Sequence, residues 1–270
     1  MASDIEPLER MVEEIDRAID DATGVPAPER PPRRFDHDGS TLVVGERGQG
    51  ELTFVLVHGI GMGRKVFGDL AVRLSRDARV LAVDLPGYGE APEPPRTPTI
   101  ERMADAVAAL LRAEGATDAV LIGHSMGTQV VVEVAARHGL GSRVVLVGPT
   151  IDDSARRART QLRRLAADLL DESPKVLLLG AREYLRARPH LIRKTRAMIV
   201  HRPEDAYPRV AVPALVVRGA EDPVSPEPWC RRVVAALPQG NYAEVPGHGH
   251  ETMIRDAAPA HRLIREWLGR

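Results

Sequence analysis

The stretch from Ala119 to Gly127, A-V-L-I-G-H-S-M-G, narrows the possible folds of this chain more than its other segments do. Ala119, Val120, Leu121 and Ile122 form an unbroken apolar run that suits a strand buried on both faces of a parallel sheet. Val130, Val131, Val134 and Ala135 beyond it recur at helical spacing. A serine therefore sits where a central strand turns into a helix. Gly123 and Gly127 bracket Ser125 in a G-x-S-x-G pattern, and residues without a Cβ permit the sharp bend that such a turn needs. The bend lifts the hydroxyl clear of the backbone and aims the first N–H groups of the helix toward whatever the hydroxyl attacks. A plain helix N-cap with turn glycines is the competing reading of Ser125, and the rest of the chain decides between the two.

Apolar strands and helices alternate on both sides of this stretch. Leu52 to Val57 ends in H-G-I-G-M-G, a helix over 66–75 leads to Val80 to Val83 and D-L-P-G-Y-G, and a second helix covers 100–114. After the serine and its helix come a strand at Val144 to Val147, a strand at Ala214 to Val217 followed by R-G-A-E-D-P, and a helix over 228–237. The series ends with a strand at Tyr242 to Val245 followed by P-G-H-G-H-E, and a helix over 254–268. This alternation predicts an α/β protein: a mostly parallel twisted sheet with helices on both faces, joined by right-handed crossovers. Ligands in such sheets collect at the carboxyl ends of the strands, where the unusual loops of this chain all fall. A hairpin of Arg33 to His37 and Thr41 to Val44 about the turn D-H-D-G precedes the series.

Two regions stand outside the alternation. Residues 1–34 read as an amphipathic helix, with Ile5, Leu8, Val12, Ile15 and Ile19 on one face, followed by the proline-rich linker V-P-A-P-E-R-P-P-R-R. Residues 151–210 read as a helical cap inserted between two halves of the core, 35–150 and 211–270. The cap carries 12 arginines and 2 lysines against 8 acidic residues, in a chain of formal net charge -1. Most of these arginines are expected on a solvated surface. Any that face inward would hold an anionic group of the substrate.

The near-zero net charge gives no general attraction to nucleic acid or anionic membrane, and aromatic content of 3% argues against stacked-base recognition. The single cysteine, Cys230, excludes an intrachain disulfide. With an N-terminus lacking a basic region before an apolar core, and no run approaching a membrane span, a cytoplasmic protein is expected. No cofactor is implied: G-I-G-M-G at 59–63 lacks dinucleotide spacing, and His248, His250 and Glu251 alone make a weak metal set.

A serine hydroxyl becomes a nucleophile when a base accepts its proton, and the base needs an anion to fix its tautomer. Asp222 follows one late strand, and His248 and His250 follow the next, so the chain order is Ser, Asp, His. Taken singly, Asp222 is also a turn residue before Pro223, and each histidine is also a loop residue. Together they favour catalysis, with the base left open between the two histidines.

With H-G-I-G at 58–61, D-L-P-G-Y-G at 84–89, G-H-S-M-G at 123–127, G-A-E-D-P at 219–223 and P-G-H-G-H at 246–250, the chain resembles the α/β-hydrolase fold family over about residues 40–268. The resemblance implies Ser125 as nucleophile, Asp222 as acid and His250 as base, because the family histidine follows the second glycine, here Gly249. It also implies an oxyanion hole made by the backbone N–H groups of Ile60 and Met126. Relatives that attack with aspartate, the epoxide hydrolases and haloalkane dehalogenases, are disfavoured by a serine at 125. The implied function is a serine hydrolase cleaving an ester or related small acyl substrate through an acyl-enzyme. The alternatives are hydrolysis of a carbon–carbon bond in a ketonic acid and a non-catalytic ligand-binding module on the same scaffold.

Overall fold

The computed structural model describes residues 30–152, 190–254 and 256–269. The expected N-terminal helix, most of the linker and the cap residues 153–189 lie outside the described residues.

Eight strands form one sheet: β1 (Arg30–His37), β2 (Ser40–Arg47), β3 (Thr53–Val57), β4 (Arg79–Asp84), β5 (Val120–His124), β6 (Arg143–Val147), β7 (Ala214–Gly219) and β8 (Gly240–Val245). Their spatial order is β1-β2-β4-β3-β5-β6-β7-β8. β2 runs antiparallel to β1 and β4, and every other pairing is parallel. The serine strand β5 therefore lies in the interior of the sheet, between β3 and β6.

Both faces are packed, and the alternation of side chains along the strands decides which residue serves which layer. Val55, Val57, Leu121, Val144 and Leu146 point to the layer filled by α2 (Ile100–Ala113), α3 (Met126–His138) and α5 (Glu227–Ala236). Phe54, Leu56, Val120, Ile122, Val145 and Val147 point to the other, filled by α1 (Gly68–Leu74) and α6 (Ala258–Trp267). The described part of the cap region contributes α4 (Leu191–Val200) and two short 3₁₀ turns, Pro203–Asp205 and Tyr207–Arg209.

The structure moves three expected boundaries. β1 begins at Arg30, so the last five residues assigned to the linker belong to the sheet. Pro31 and Pro32 are tolerated because β1 is an edge strand whose register shifts between Arg30 and Arg33. The hairpin turn shrinks to Asp38 and Gly39, both at positive φ (45° and 71°), as a two-residue hairpin loop demands. The last helix starts at Ala258 rather than Ile254: Met253 and Ile254 are core residues of the preceding turn, and Pro259 sits in the first helical turn, where its missing N–H costs nothing.

Candidate active site

The strand-to-helix turn at Ser125 is strained as the glycine pattern requires. Ser125 itself adopts φ 53° and ψ -119°, a region that L residues other than glycine seldom enter. Its neighbours make this geometry fit. A Cβ on Gly123 would strike the carbonyl of Gly127, and a Cβ on Gly127 would strike the carbonyl of Val57 on the adjacent strand. The bend is pinned at both ends. The Ser125 N–H donates to Val147 O at 2.9 Å across to β6, while Thr128 donates to Ser125 O from its N–H at 3.0 Å and its hydroxyl at 2.6 Å.

Asp222 lies beyond the end of β7 in an Asx turn, where its Oδ1 accepts from the N–H groups of Val224 at 2.7 Å and Ser225 at 2.8 Å. Its Oδ2 accepts from His250 Nδ1 at 2.8 Å, and both side chains are buried. Burial pushes the Asp222 carboxyl up, but His250 and the two N–H donors outweigh it and hold the group below the usual carboxylate range. With Nδ1 carrying the proton given to Asp222, Nε2 is the basic nitrogen of the neutral ring. His248 is set apart from this pair: its Nδ1 bonds Pro246 O at 3.0 Å within its own loop.

His250 reaches the serine turn through His124, the residue before Ser125. His124 Nε2–H donates to His250 O at 2.9 Å, and the two rings lie 5.1 Å apart. Burial, then the neighbouring His250, push the His124 pKa down to about 3, so this ring is a neutral donor at ordinary pH. From the other side, a Cβ on Gly59 would approach Ser125 Cβ to 3.0 Å, which puts the H-G-I-G loop against the nucleophile candidate. His58 braces that loop: its Nδ1–H donates to Gly59 O at 2.7 Å, and its Nε2 accepts from the Leu85 N–H at 3.0 Å. Both ring nitrogens are thereby engaged, and burial lowers the His58 pKa. Among the described residues, no acceptor takes a hydrogen bond from the N–H of Ile60 or of Met126. The D-L-P-G-Y-G motif is a second brace, since Asp84 accepts from the N–H groups of Arg64 at 2.5 Å and Glu90 at 3.0 Å and pairs with the Arg64 guanidinium.

Two contributors escaped the sequence reading. Gly148, just past β6 at φ +55°, gives His250 its space, since a Cβ there would lie 2.9 Å from the ring. A glycine immediately following the strand next to the serine strand is the signal that was available. The second is Lys194 of α4. Of the described cap cations it is the one buried, with its Nζ donating to Gly87 O, 2.7 Å from Glu93 Oε2 and 4.3 Å over the Tyr88 ring. Tyr88 in turn donates to Met126 Sδ at 3.6 Å. The described cap arginines, Arg193, Arg196, Arg202 and Arg209, are exposed and line a different cleft. Among the described residues no group of three His, Cys, Asp or Glu side chains is placed to hold a metal ion, and no helix is long and apolar enough to cross a membrane.

Comparison with known proteins agrees with this architecture. The chain is 28% identical over 254 residues to a pimeloyl-[acyl-carrier protein] methyl ester esterase of Chromobacterium violaceum, covering 84% of this chain and 98% of that one. It is 37% identical over 106 residues to a 2-(acetamidomethylene)succinate hydrolase of Mesorhizobium japonicum, a match that takes in 39% of this chain and spans only 38% of the relative. Among solved structures, a thermophilic esterase from Thermogutta terrifontis superposes with a TM-score of 0.66 at 26% identity, covering 89% of this chain and 98% of the other. The model of the alpha/beta hydrolase family matches residues 54–266, and the chain belongs to that family.

Proposed function

We propose that this protein is a serine hydrolase that cleaves a carboxylic ester or related acyl substrate, with Ser125 as nucleophile, His250 as base and Asp222 as the anion that orients it. The observation that carries this reading is the buried pair of Asp222 and His250, joined through Nδ1 at 2.8 Å and tied through His124 to the turn of a serine at φ 53°. That pair keeps the ring in the tautomer whose Nε2 can accept a proton.

In the proposed cycle the Ser125 hydroxyl adds to the substrate carbonyl as its proton passes to His250. Charge gathering on the carbonyl oxygen is met by the Ile60 and Met126 N–H groups, in a loop and at a helix start that are both fixed before substrate arrives. Collapse of the tetrahedral species expels the alcohol, which takes the proton from the imidazolium. Water then hydrolyses the acyl-serine by the same proton path in reverse. An ester is favoured over a carbon–carbon bond by the likeness to a methyl ester esterase along nearly all of that relative's length. The described arginines of 190–210 line a separate cleft and Lys194 is already matched by Glu93, so among the described residues the cap cations give the serine turn no anion-binding group.

The test is a panel of p-nitrophenyl esters of increasing acyl length with wild type and Ser125→Ala, alongside a serine-directed phosphonate followed by mass spectrometry. Turnover lost in Ser125→Ala and a phosphonate adduct on Ser125 are the expected results. A Ser125→Ala protein with undiminished esterase turnover would sink the mechanism, and a folded wild type that neither turns over nor labels would favour a binding module.

A further inference from the structure

On the flank of the core, away from the serine turn, α4 and the turns after it face the ends of α2 and α3 across a cleft of about 730 Å³. Glu133 and Arg137, which supply the α3 wall, lie 8 and 12 residues beyond Ser125, or about 12 and 18 Å along a helix axis. Ser125, Asp222 and His250 are not among the lining residues. From this separate cleft we propose that the protein binds a small phosphorylated molecule, held by Arg196 and Arg209 together with Arg193.

Five arginines line the cleft, Arg137, Arg193, Arg196, Arg202 and Arg209, against three carboxylates, Glu101, Glu133 and Asp205. Those carboxylates are already engaged. Glu133 accepts from His201 Nε2 at 2.8 Å and lies 3.8 Å from Arg137 Nε; Asp205 pairs with Arg202 at 3.0 Å; Glu101 lies 4.0 Å from His201. Among the described residues, no carboxylate pairs with Arg193, Arg196 or Arg209. Arg137 is also matched by Asp105 at 3.1 Å and Arg202 by Glu204 at 3.3 Å, so Arg193, Arg196 and Arg209 are the lining arginines left to an anionic ligand, and planar guanidiniums suit phosphoryl oxygens.

The start of α2 belongs to the lining through Thr99 and Glu101, and its positive end is already met by the Glu101 carboxylate of the first turn. The helix α4 divides its labour between two faces. Lys194 and Met198 are buried against the core, whereas Arg193, Arg196, Ala197 and Val200, at helical spacing, line the cleft. Val200 is 66% exposed, an apolar surface for the organic part of a ligand in a space larger than one phosphate needs.

The probe is pyrophosphate, with inorganic phosphate and succinate as comparisons, titrated calorimetrically into the full chain at constant ionic strength set by chloride. Saturable pyrophosphate binding is expected, weakened by about tenfold or more in Arg196→Ala/Arg209→Ala and within about twofold of wild type in Arg231→Ala, an exposed arginine outside the cleft. Circular dichroism and thermal melts establish that each variant is folded, and Arg193→Ala alone provides a milder second test. Binding no stronger than chloride, equal losses in the double variant and in Arg231→Ala, or succinate binding as tightly as pyrophosphate would each overturn the assignment. None of these readouts depends on esterase turnover.

Discussion

Gly148 and His250 are packed so closely that a single methyl group on the glycine would lie 2.9 Å from both Cε1 and Nδ1 of the imidazole, and 3.3 Å from Asp222 Oδ2. The glycine also sits at φ +55°, a conformation that costs an L side chain about 1–2 kcal/mol. Gly148→Ala is therefore expected to destabilise the fold by about that amount and to displace the imidazole proposed as the base. A displacement of this kind lowers kcat by about 10²-fold. Steady-state kinetics on an ester, with a urea melt of the same sample, separates the two effects: kcat falls far more than the folded fraction does.

Asp222 is a buried anion held by three donors, so replacing it tests orientation as well as charge. Asp222→Asn keeps the shape but presents an amide to Nδ1, favouring the wrong tautomer, and kcat is expected to fall by about 10⁴-fold. The linkage follows from the lowered pKa of the native carboxyl. Because the unfolded chain binds this proton more readily, the contribution to stability is fully present above the ordinary carboxylate pKa and is lost as pH falls through the native value. Urea melts of wild type and variant should differ by a constant amount at neutral pH and converge in acid.

His124 offers a pH test in a different window. Its pKa is pushed down to about 3 from an ordinary 6.5, so between those values the unfolded state takes up a proton that the native state refuses. Stability must then fall as pH drops through that range, by up to about 1.4 kcal/mol per pH unit from this group. His124→Gln can still donate to His250 O but cannot ionise. Its urea midpoint should decline less steeply than that of wild type between pH 6.5 and 4, while ester turnover at neutral pH is largely kept.

How much of this was readable beforehand follows from where the information resides. The G-x-S-x-G turn announces itself because Gly123 and Gly127 are excluded from bearing side chains by backbone atoms close in sequence or on the neighbouring strand. Asp222 and the histidines at 248 and 250 follow late strands, and parallel topology brings strand ends to one edge, so a meeting of acid and base followed from chain order, whereas the choice of His250 over His248 came from the family resemblance. Gly148 offered only its place directly after a strand, because its neighbour His250 is 102 residues away and other strand exits of this chain also carry glycine. The direction of Lys194 was hidden for a related reason. Composition marks the segment as basic, but which cation turns inward depends on a partner, Glu93, that only tertiary structure supplies. The early start of β1 ran against local propensity, because prolines read as linker unless the edge position that tolerates them is known.

Lys194 and Glu93 are expected to be coupled. The ammonium is 1% exposed and the carboxylate 27%, so the pair is shielded more than a surface ion pair and less than a fully buried one. A double-mutant cycle with Lys194→Ala and Glu93→Ala should give a coupling energy of about 1–3 kcal/mol in urea melts. Removing Lys194 alone is expected to cost more than removing Glu93 alone, since only the lysine also serves Gly87 O and the Tyr88 ring.

The strain at Ser125 sets stability against the proposed chemistry at one residue. At φ 53° and ψ -119° the backbone is held where a serine costs about 1–3 kcal/mol and a glycine far less. Part of the relief is cancelled because glycine adds freedom to the unfolded chain, worth about 0.5–1 kcal/mol. Ser125→Gly should nonetheless be at least as stable as wild type, with a urea midpoint equal or higher, although it removes the hydroxyl of a buried residue and leaves a small void. Ser125→Ala keeps the Cβ and so keeps the strain, and its midpoint should fall below that of the glycine variant. Both should lose ester turnover. If the alanine variant proved the more stable of the two, the backbone at 125 would not be storing strain, and the account of why this turn requires its glycines would fail with it.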